Sequence, residues 1–280
     1  MLDTRQFGLH AYYAGTSWLR KHYRGKLEQE GRAPMCVLFY HRVADQHPNP
    51  WTISRAEFER QMRWVSENLE VVSLQEVQRK IGLAENHRTT ATVTFDDGYA
   101  ENVEFAIPLL LEMGIPTTYF VTLDFVTQNT PFPHDVQRGV PLPINTVEQI
   151  RWMAEQGVEI GAHTRSHCDV GSITDPEELA DEILTATEEL ARMIDRPIRY
   201  FAFPYGKPEN MTRAAVELLR QAGMEGVCSA YGAYNFCGND PFHIQRIHGD
   251  PDFIRFKNWM TVDPRKVSVG LDFQFRDSQS

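Results

Sequence analysis

Short apolar runs recur along this chain with helical stretches between them, and that alternation restricts the fold more than any other feature. Residues 35–40 (Met-Cys-Val-Leu-Phe-Tyr) are continuously apolar rather than helically periodic, the pattern of a strand buried on both faces. Runs of similar character occur at 69–74, 90–95, 117–121, 158–162, 200–203, 226–229 and 243–247. Between them, Ser54 and Glu57 at capping-box spacing open a helix from about residue 55, with Phe58, Met62, Trp64 and Val65 on its apolar face. Further helices are expected over 101–113, closing at Gly114, and over 147–156. A long one is introduced by Thr174-Asp175-Pro176-Glu177, and another ends near Gly223. Six to eight strands separated mostly by helices argue for parallel pairing in a closed or nearly closed (β/α) barrel. An open doubly wound sheet is the runner-up, but no phosphate-cradling GxGxxG comes after any strand.

A chain of 280 residues, 42% hydrophobic, can bury one large core. It is read as an N-terminal helical segment, 1–32, leading into one α/β domain, 33–280. The formal charge of -10 argues against a nucleic-acid partner, because affinity for a polyanion comes from arrayed Lys and Arg. Basic residues interrupt 1–26, so no signal peptide or membrane-spanning run is expected and the chain reads as cytoplasmic. Leu9, Tyr12, Tyr13, Trp18 and Leu19 among those basic residues offer a second reading, a helix lying on a membrane surface. Packing of that aromatic face on the domain is preferred. Cys36, Cys168, Cys228 and Cys237 form no CxxC pair, which fits a reducing compartment, although Cys228 and Cys237 could bridge after export. Residues 124–146, with Pro131, Pro133, Pro141 and Pro143, read as an irregular loop that would wall the substrate side of a barrel.

Several polar residues fall at the C-terminal ends of the expected strands: His41, Asp96 and Asp97, His163, and Tyr205. In a barrel these ends converge on one face. Singly, each has a plain explanation as a turn or an exposed pair; together they point to a site. A divalent metal on His163, His167 and one carboxylate would keep open positions for water and a substrate carbonyl. Adjacent side chains at a strand end diverge, so one of Asp96 and Asp97 can bind the ion while the other takes a proton from water.

Thr94-Phe95-Asp96-Asp97-Gly98, His163-Thr164-Arg165-Ser166-His167 and Phe203-Pro204-Tyr205-Gly206 resemble, in order and spacing, the first three motifs of the polysaccharide deacetylases, carbohydrate esterase family 4. The likeness spans roughly 35–249. It implies a distorted (β/α) barrel and metal-dependent removal of N-acetyl, sometimes O-acetyl, groups from a glycan or lipid-linked sugar. By position it implies that Asp97, His163 and His167 hold the metal, often zinc, that Asp96 is the general base, and that the Tyr205 backbone N–H helps bind the oxyanion. No separate organic cofactor is implied. The family's usual fourth motif, an Asp and Trp that orient a late histidine, is absent from Cys228-Ser229-Ala230-Tyr231-Gly232. Two residues compete for the general acid: His248, and His41, whose Tyr40-His41 strand end is similar to the poly-N-acetylglucosamine deacetylase branch. His41 is preferred.

Arg199 and Arg246 are read first as ordinary ion-pair formers and second as carboxylate orienters. Phe125, Phe132, Tyr231, Tyr234 and Phe236 lie in expected loops and either anchor them or stack on sugars, and Trp64 and Trp152 read as helix-core residues. Two competing functions are hydrolysis of another C–N bond in a related barrel and glycan binding by a degenerate site. The complete Asp96, Asp97, His163 and His167 set weighs against the second.

Overall fold

The computed structural model describes residues 4–267. Its main sheet is parallel throughout and contains β1 (Met35–Tyr40), β4 (Glu70–Val71), β5 (Thr90–Phe95), β6 (Thr117–Val121), β7 (Glu159–Ala162), β8 (Tyr200–Ala202), β9 (Gly226–Ser229), β10 (His243–Gln245) and β11 (Ile247–His248). A small parallel pair, β2 (Arg42–Val43) and β3 (Thr52–Ile53), lies apart. The strand order is β10-β9-β8-β7-β6-β5-β1-β11, with β4 beside β5. Because β10 pairs with β9 and β11 with β1, the segment 243–248 bridges the two ends of the sheet and closes the barrel, with Arg246 at the changeover. The closed (β/α) barrel expected from the alternation is observed, in the distorted form that the resemblance implies.

The β1 residues show how the core divides. Met35 and Val37 belong to a cluster with Phe120, Tyr200, Ala202, Cys228 and Ile244 from other strands, whereas Cys36, Leu38 and Tyr40 join Phe58, Met62 and Val65 of the helix Arg55–Asn68. Both faces of the strand are buried, which is why its sequence does not alternate. Leu74, Val77 and Ile81 of the helix Leu74–Ile81 enter the inner cluster, and Tyr200 O–H donates to Gln78 Oε1 of the same helix at 2.8 Å. Sequence patterning did not reveal that helix, which is capped by Ser73; it packs beneath the barrel interior and leaves the other end for a pocket.

Several helices depart from expectation for local reasons. The 101–113 stretch is two helices, Glu101–Glu104 and Ala106–Glu112, broken at Phe105, because Pro108 has no N–H to give the Glu104 carbonyl. Residues 124–146 are not wholly irregular, since Leu123–Gln128 and Pro133–Gln137 are short helices and Pro133 sits in the first turn, where a missing N–H is harmless. The long helix runs 176–194 but contains a π turn, Asp181–Thr185. Trp152 is 36% exposed, not a core residue, while Trp64 is partly buried against the core.

The N-terminal helix Thr4–Gln29 docks through polar anchors: Tyr12 O–H lies 3.0 Å from Asp263 Oδ1, and buried Arg20 reaches Asn258 and Asp263. Trp18 and Leu19 face outward instead, so only part of the expected aromatic face packs on the domain. Among the described residues, no helix is long and apolar enough to cross a membrane. The four thiols are free.

Candidate active site

A pocket of about 400 Å³ opens where β1, β5, β7, β8 and β11 end. Its wall includes every candidate catalytic and metal-binding residue from the sequence: His41, Asp96, Asp97, His163, His167, Tyr205 and His248. The parallel strands carry these residues to one face from positions far apart in the chain, as a barrel requires.

Asp96 and Asp97 leave β5 in different directions. The Asp96 backbone N–H donates to Tyr40 O at 2.9 Å, continuing the β1–β5 ladder, and its side chain points at Arg246. Asp97 has φ 77 and Gly98 φ 108, so the chain turns sharply and aims the second carboxylate at the histidines. A left-handed aspartate is tolerated better than most residues, and the glycine completes the turn without strain.

Asp97 Oδ1 lies 3.6 Å from His163 Nε2 and 3.1 Å from His167 Nε2, and the three groups each offer a ligand atom within 4.8 Å of the others. His163 Nδ1 is 2.7 Å from the Ala202 carbonyl oxygen, an acceptor, so that nitrogen carries the proton and Nε2 presents its lone pair to the cluster. Burial pushes His163 down to about 4, which keeps it neutral and ligand-competent at neutral pH. Burial opposes charge on His167 as well, but facing Asp97 outweighs it and the net shift is upward. Asp97 is held below the ordinary carboxylate range, despite its burial, by His167 first and then by His41 and His163, yet its buried Oδ1 has no well-formed hydrogen bond among the described residues. An orphaned buried oxygen facing two imidazole nitrogens is what a divalent cation would satisfy, so these residues fit the metal that the motifs imply.

Arg246 corrects the expectation of an ordinary ion pair. It is a buried fork on Asp96, with Nη1 to Oδ1 at 2.6 Å and Nη2 to Oδ2 at 2.9 Å. Its guanidinium also lies 4.9 Å from the Phe39 ring centre and 5.3 Å from that of Phe120. Burial would raise Asp96, but Arg246 and then His163 lower it, so the carboxylate stays ionised. Arg199, by contrast, pairs with Glu159 and Glu225 in a half-exposed setting, as expected of it.

His41 comes directly after β1, and buried Asn102 fixes its backbone by donating from Nδ2 to His41 O at 2.7 Å and accepting from Val43 N–H at 2.9 Å. Its Nδ1 is buried without a hydrogen-bond partner among the described residues. His248 stands across from it, ring centres 6.2 Å apart, in register with Phe39. Burial, then the neighbouring His41, pushes His248 down to about 4. Tyr205 has φ 61 and is 57% exposed, and no acceptor among the described residues takes its backbone N–H. The adjoining Gly206, φ 62, has no room for a side chain: a Cβ there would stand 2.7 Å from Ala230 N.

Trp51, His134 and Lys207 are among the pocket residues that were not anticipated. Trp51 is 47% exposed and packs its ring 4.8 Å from His41 and 5.9 Å from His248. Its turn is anchored by buried Arg42, which binds Glu101, His47 O and Thr52. His134 is oriented by Tyr99 O–H at 3.1 Å. None of Phe125, Phe132, Tyr231, Tyr234 and Phe236 lines the pocket; Phe132 is buried against Phe125 and His167, and so anchors its loop.

Stability should depend on pH in a definite direction. His163, His243 and His248 are each pushed from 6.5 down to about 4, with burial the main cause. Between those values these histidines bind more protons in the unfolded chain than in the folded one, so acid favours unfolding; His167, raised by Asp97, works the other way. The melting temperature of metal-free protein should fall steadily as pH drops from 6.5 to 4, and a flat profile would contradict these shifts.

Residues 84–227 match the family model described as polysaccharide deacetylase. YxkH of Bacillus subtilis (strain 168), designated a polysaccharide deacetylase, is 24% identical over 194 residues, 68% of this chain and 63% of that protein. A chitooligosaccharide deacetylase of Bradyrhizobium sp. (strain ANU 289) is 30% identical over 142 residues, 49% of this chain and 55% of that protein. Both matches span less than two thirds of the relative's own length. Among solved structures, IcaB from Ammonifex degensii is similar with a TM-score of 0.68 and 25% identity, over 82% of this chain and 98% of that one.

Proposed function

The chain belongs to the polysaccharide deacetylase family, and on that premise we propose that it is a metal-dependent hydrolase removing N-acetyl groups from an amino-sugar glycan, as polymer, oligomer or lipid-linked sugar. The observation that carries this reading is the convergence of Asp97, His163 and His167 beside an Asp96 held ionised by Arg246, all in one pocket. The likeness to a chitooligosaccharide deacetylase supports the substrate class. All proposed catalytic groups fall between His41 and His248, so we assign the catalytic unit to 33–280 and treat 1–32 as an appended helical segment.

Asp97, His163 and His167 would hold the divalent ion, most naturally zinc for two imidazoles and a carboxylate, and when bound it would polarise the acetyl carbonyl and acidify water. Asp96 takes the proton from the attacking water. The Arg246 fork fixes both its oxygens, so a lone pair stays aimed into the pocket and no energy is spent on reorientation. The free Tyr205 backbone N–H donates to the developing oxyanion, held in place by its left-handed backbone and the close-packed Gly206. His41 gives a proton to the departing nitrogen. His248, neutral down to about 4, is the poorer donor and instead packs His41 and Trp51 in place. Trp51, half exposed beside His41, offers a flat face to a pyranose ring.

The substrate class is tested by measuring acetate released by zinc-loaded protein from polymeric, short and lipid-linked N-acetylated sugars, each with a chelated control. Acetate from at least one of them, lost on chelation, is expected; release from none, or of another fragment from a different C–N bond, would sink the proposal. Within an active reaction, His41→Ala should cut turnover on the order of a hundredfold, and His248→Ala far less. A larger loss for His248→Ala would transfer the acid role to that residue.

A further inference from the structure

We propose that Glu182 is a positioning residue for the metal site, holding the His163–His167 loop in the conformation that lets both imidazoles reach Asp97. The inference rests on the metal-site reading above, and it concerns a residue that hydrogen-bonds to none of the three proposed ligand side chains.

The loop between the two histidines is costly to hold. Thr164 has φ 63 and His167 φ 60, and a left-handed conformation at a non-glycine residue costs roughly 1–2 kcal/mol each. One of them is the ligand itself, so relaxation of the loop would carry His167 Nε2 away from its position 3.1 Å from Asp97. Such strain persists only where surrounding groups over-determine it.

Glu182 supplies the buried part of that determination that acts directly on the loop backbone. Its Oε2 accepts the backbone N–H groups of Arg165 and Ser166, both at 3.0 Å, and its Oε1 accepts the Ser166 hydroxyl at 2.6 Å. The Arg165 N–H also reaches the Glu182 main-chain carbonyl at 3.0 Å. Glu182 is 9% exposed, so bonds from these donors replace water rather than compete with it. By comparison, the remaining ties on the loop are single bonds: Thr164 Oγ1 accepting from His167 N–H, and the Thr164 and Arg165 carbonyls accepting from Leu123 and Asp124. The Arg165 side chain adds a second support, forking onto Asp181 and Glu189, but these partners and Asp124 are more exposed than Glu182 and their bonds end on the side chain rather than on the loop backbone.

Glu182 reaches the loop from an unusual backbone. It lies in the π turn Asp181–Thr185, the one interruption of the 176–194 helix. A π turn widens the helix by one residue and rotates its N-terminal part relative to its C-terminal part, and such turns occur often at functional sites. Here the widened turn is where the helix carbonyl and carboxylate of one residue both face the metal loop. The irregularity thus has a consequence for the site: it lets Glu182 bind the loop from side chain and main chain together.

The test measures zinc affinity of metal-free protein by competition with a chromophoric chelator, comparing wild type, Glu182→Gln, Glu182→Ala, Ser166→Ala and His167→Ala. Circular dichroism and chemical unfolding are monitored in parallel. Glu182→Gln keeps the shape and one acceptor, and should fold while binding zinc about tenfold more weakly; Glu182→Ala should lose nearer to a hundredfold, the range seen for supports behind metal ligands. Ser166→Ala, which removes one of the three side-chain bonds, should fall between wild type and Glu182→Gln. Wild-type affinity in folded Glu182→Gln and Ser166→Ala would overturn the inference even if Glu182→Ala fails to fold. Equal affinity in wild type and His167→Ala would instead overturn the metal-site reading beneath it.

Discussion

Asp96→Asn should lower turnover by roughly 10²–10⁴-fold while leaving one metal ion per chain, because it removes a proton acceptor and spares the ligand beside it. The asparagine has the shape of the aspartate and can still accept one bond from Arg246, so the pocket is retained. It cannot accept a proton from water. The variant leaves the Arg246 charge buried opposite a neutral partner, which lowers stability, so rates should be compared well below its melting temperature. Acetate release and metal content measured on the same sample decide the matter. Turnover within tenfold of wild type would remove Asp96 from the base role, and loss of the metal would mean that Asp96, not only Asp97, is a ligand.

Arg246→Leu should be more damaging to the fold than to metal binding. It strands the buried Asp96 carboxylate, and breaking a buried pair from one side costs about 3–5 kcal/mol. Without the guanidinium the carboxyl pKa should rise, because burial then has less to oppose it. Activity remaining in the variant should therefore lose its acid limb at higher pH than wild type. The double variant Arg246→Leu with Asp96→Asn removes both charges and should recover part of the lost stability in denaturant unfolding, though not the activity. A single-variant loss below about 1 kcal/mol, typical of exposed pairs, would contradict a buried clamp.

The barrel and the clustering of Asp97, His163 and His167 were legible because each is written locally. Continuous apolar runs mark doubly buried strands, and a polar residue after each run marks the face where strand ends meet. Asp97, His163 and His167 could be paired by residue type, since few other functions need that chemistry at those places. Arg246 was underrated because its partner stands 150 residues away, and nothing in Arg246-Ile247-His248 tells a clamp from a surface charge. The barrel closure explains it: Arg246 sits where the strand passes from β9 to β1, so its side chain enters the interior that a regular strand would deny it. Trp51 escaped notice because its turn is organised by Arg42 and Glu101, tertiary contacts with no local signal. The loop aromatics erred in the opposite sense, since Phe132 and its neighbours had apolar partners to bury against. Pro108 gave a readable signal for the broken helix, the missing donor to Glu104, that the apolar periodicity around it concealed.

The central claim is that one ion on Asp97, His163 and His167 makes this pocket a deacetylase. The most direct measurement titrates chelated protein with zinc from zero to two equivalents and records acetate released from an N-acetylated glucosamine oligomer at each point. The account predicts no release without metal, a rise in proportion to occupancy, and saturation at one ion per chain, with Asp97→Ala staying at the chelated baseline. Acetate release that is independent of metal occupancy, or undiminished in Asp97→Ala, would contradict it.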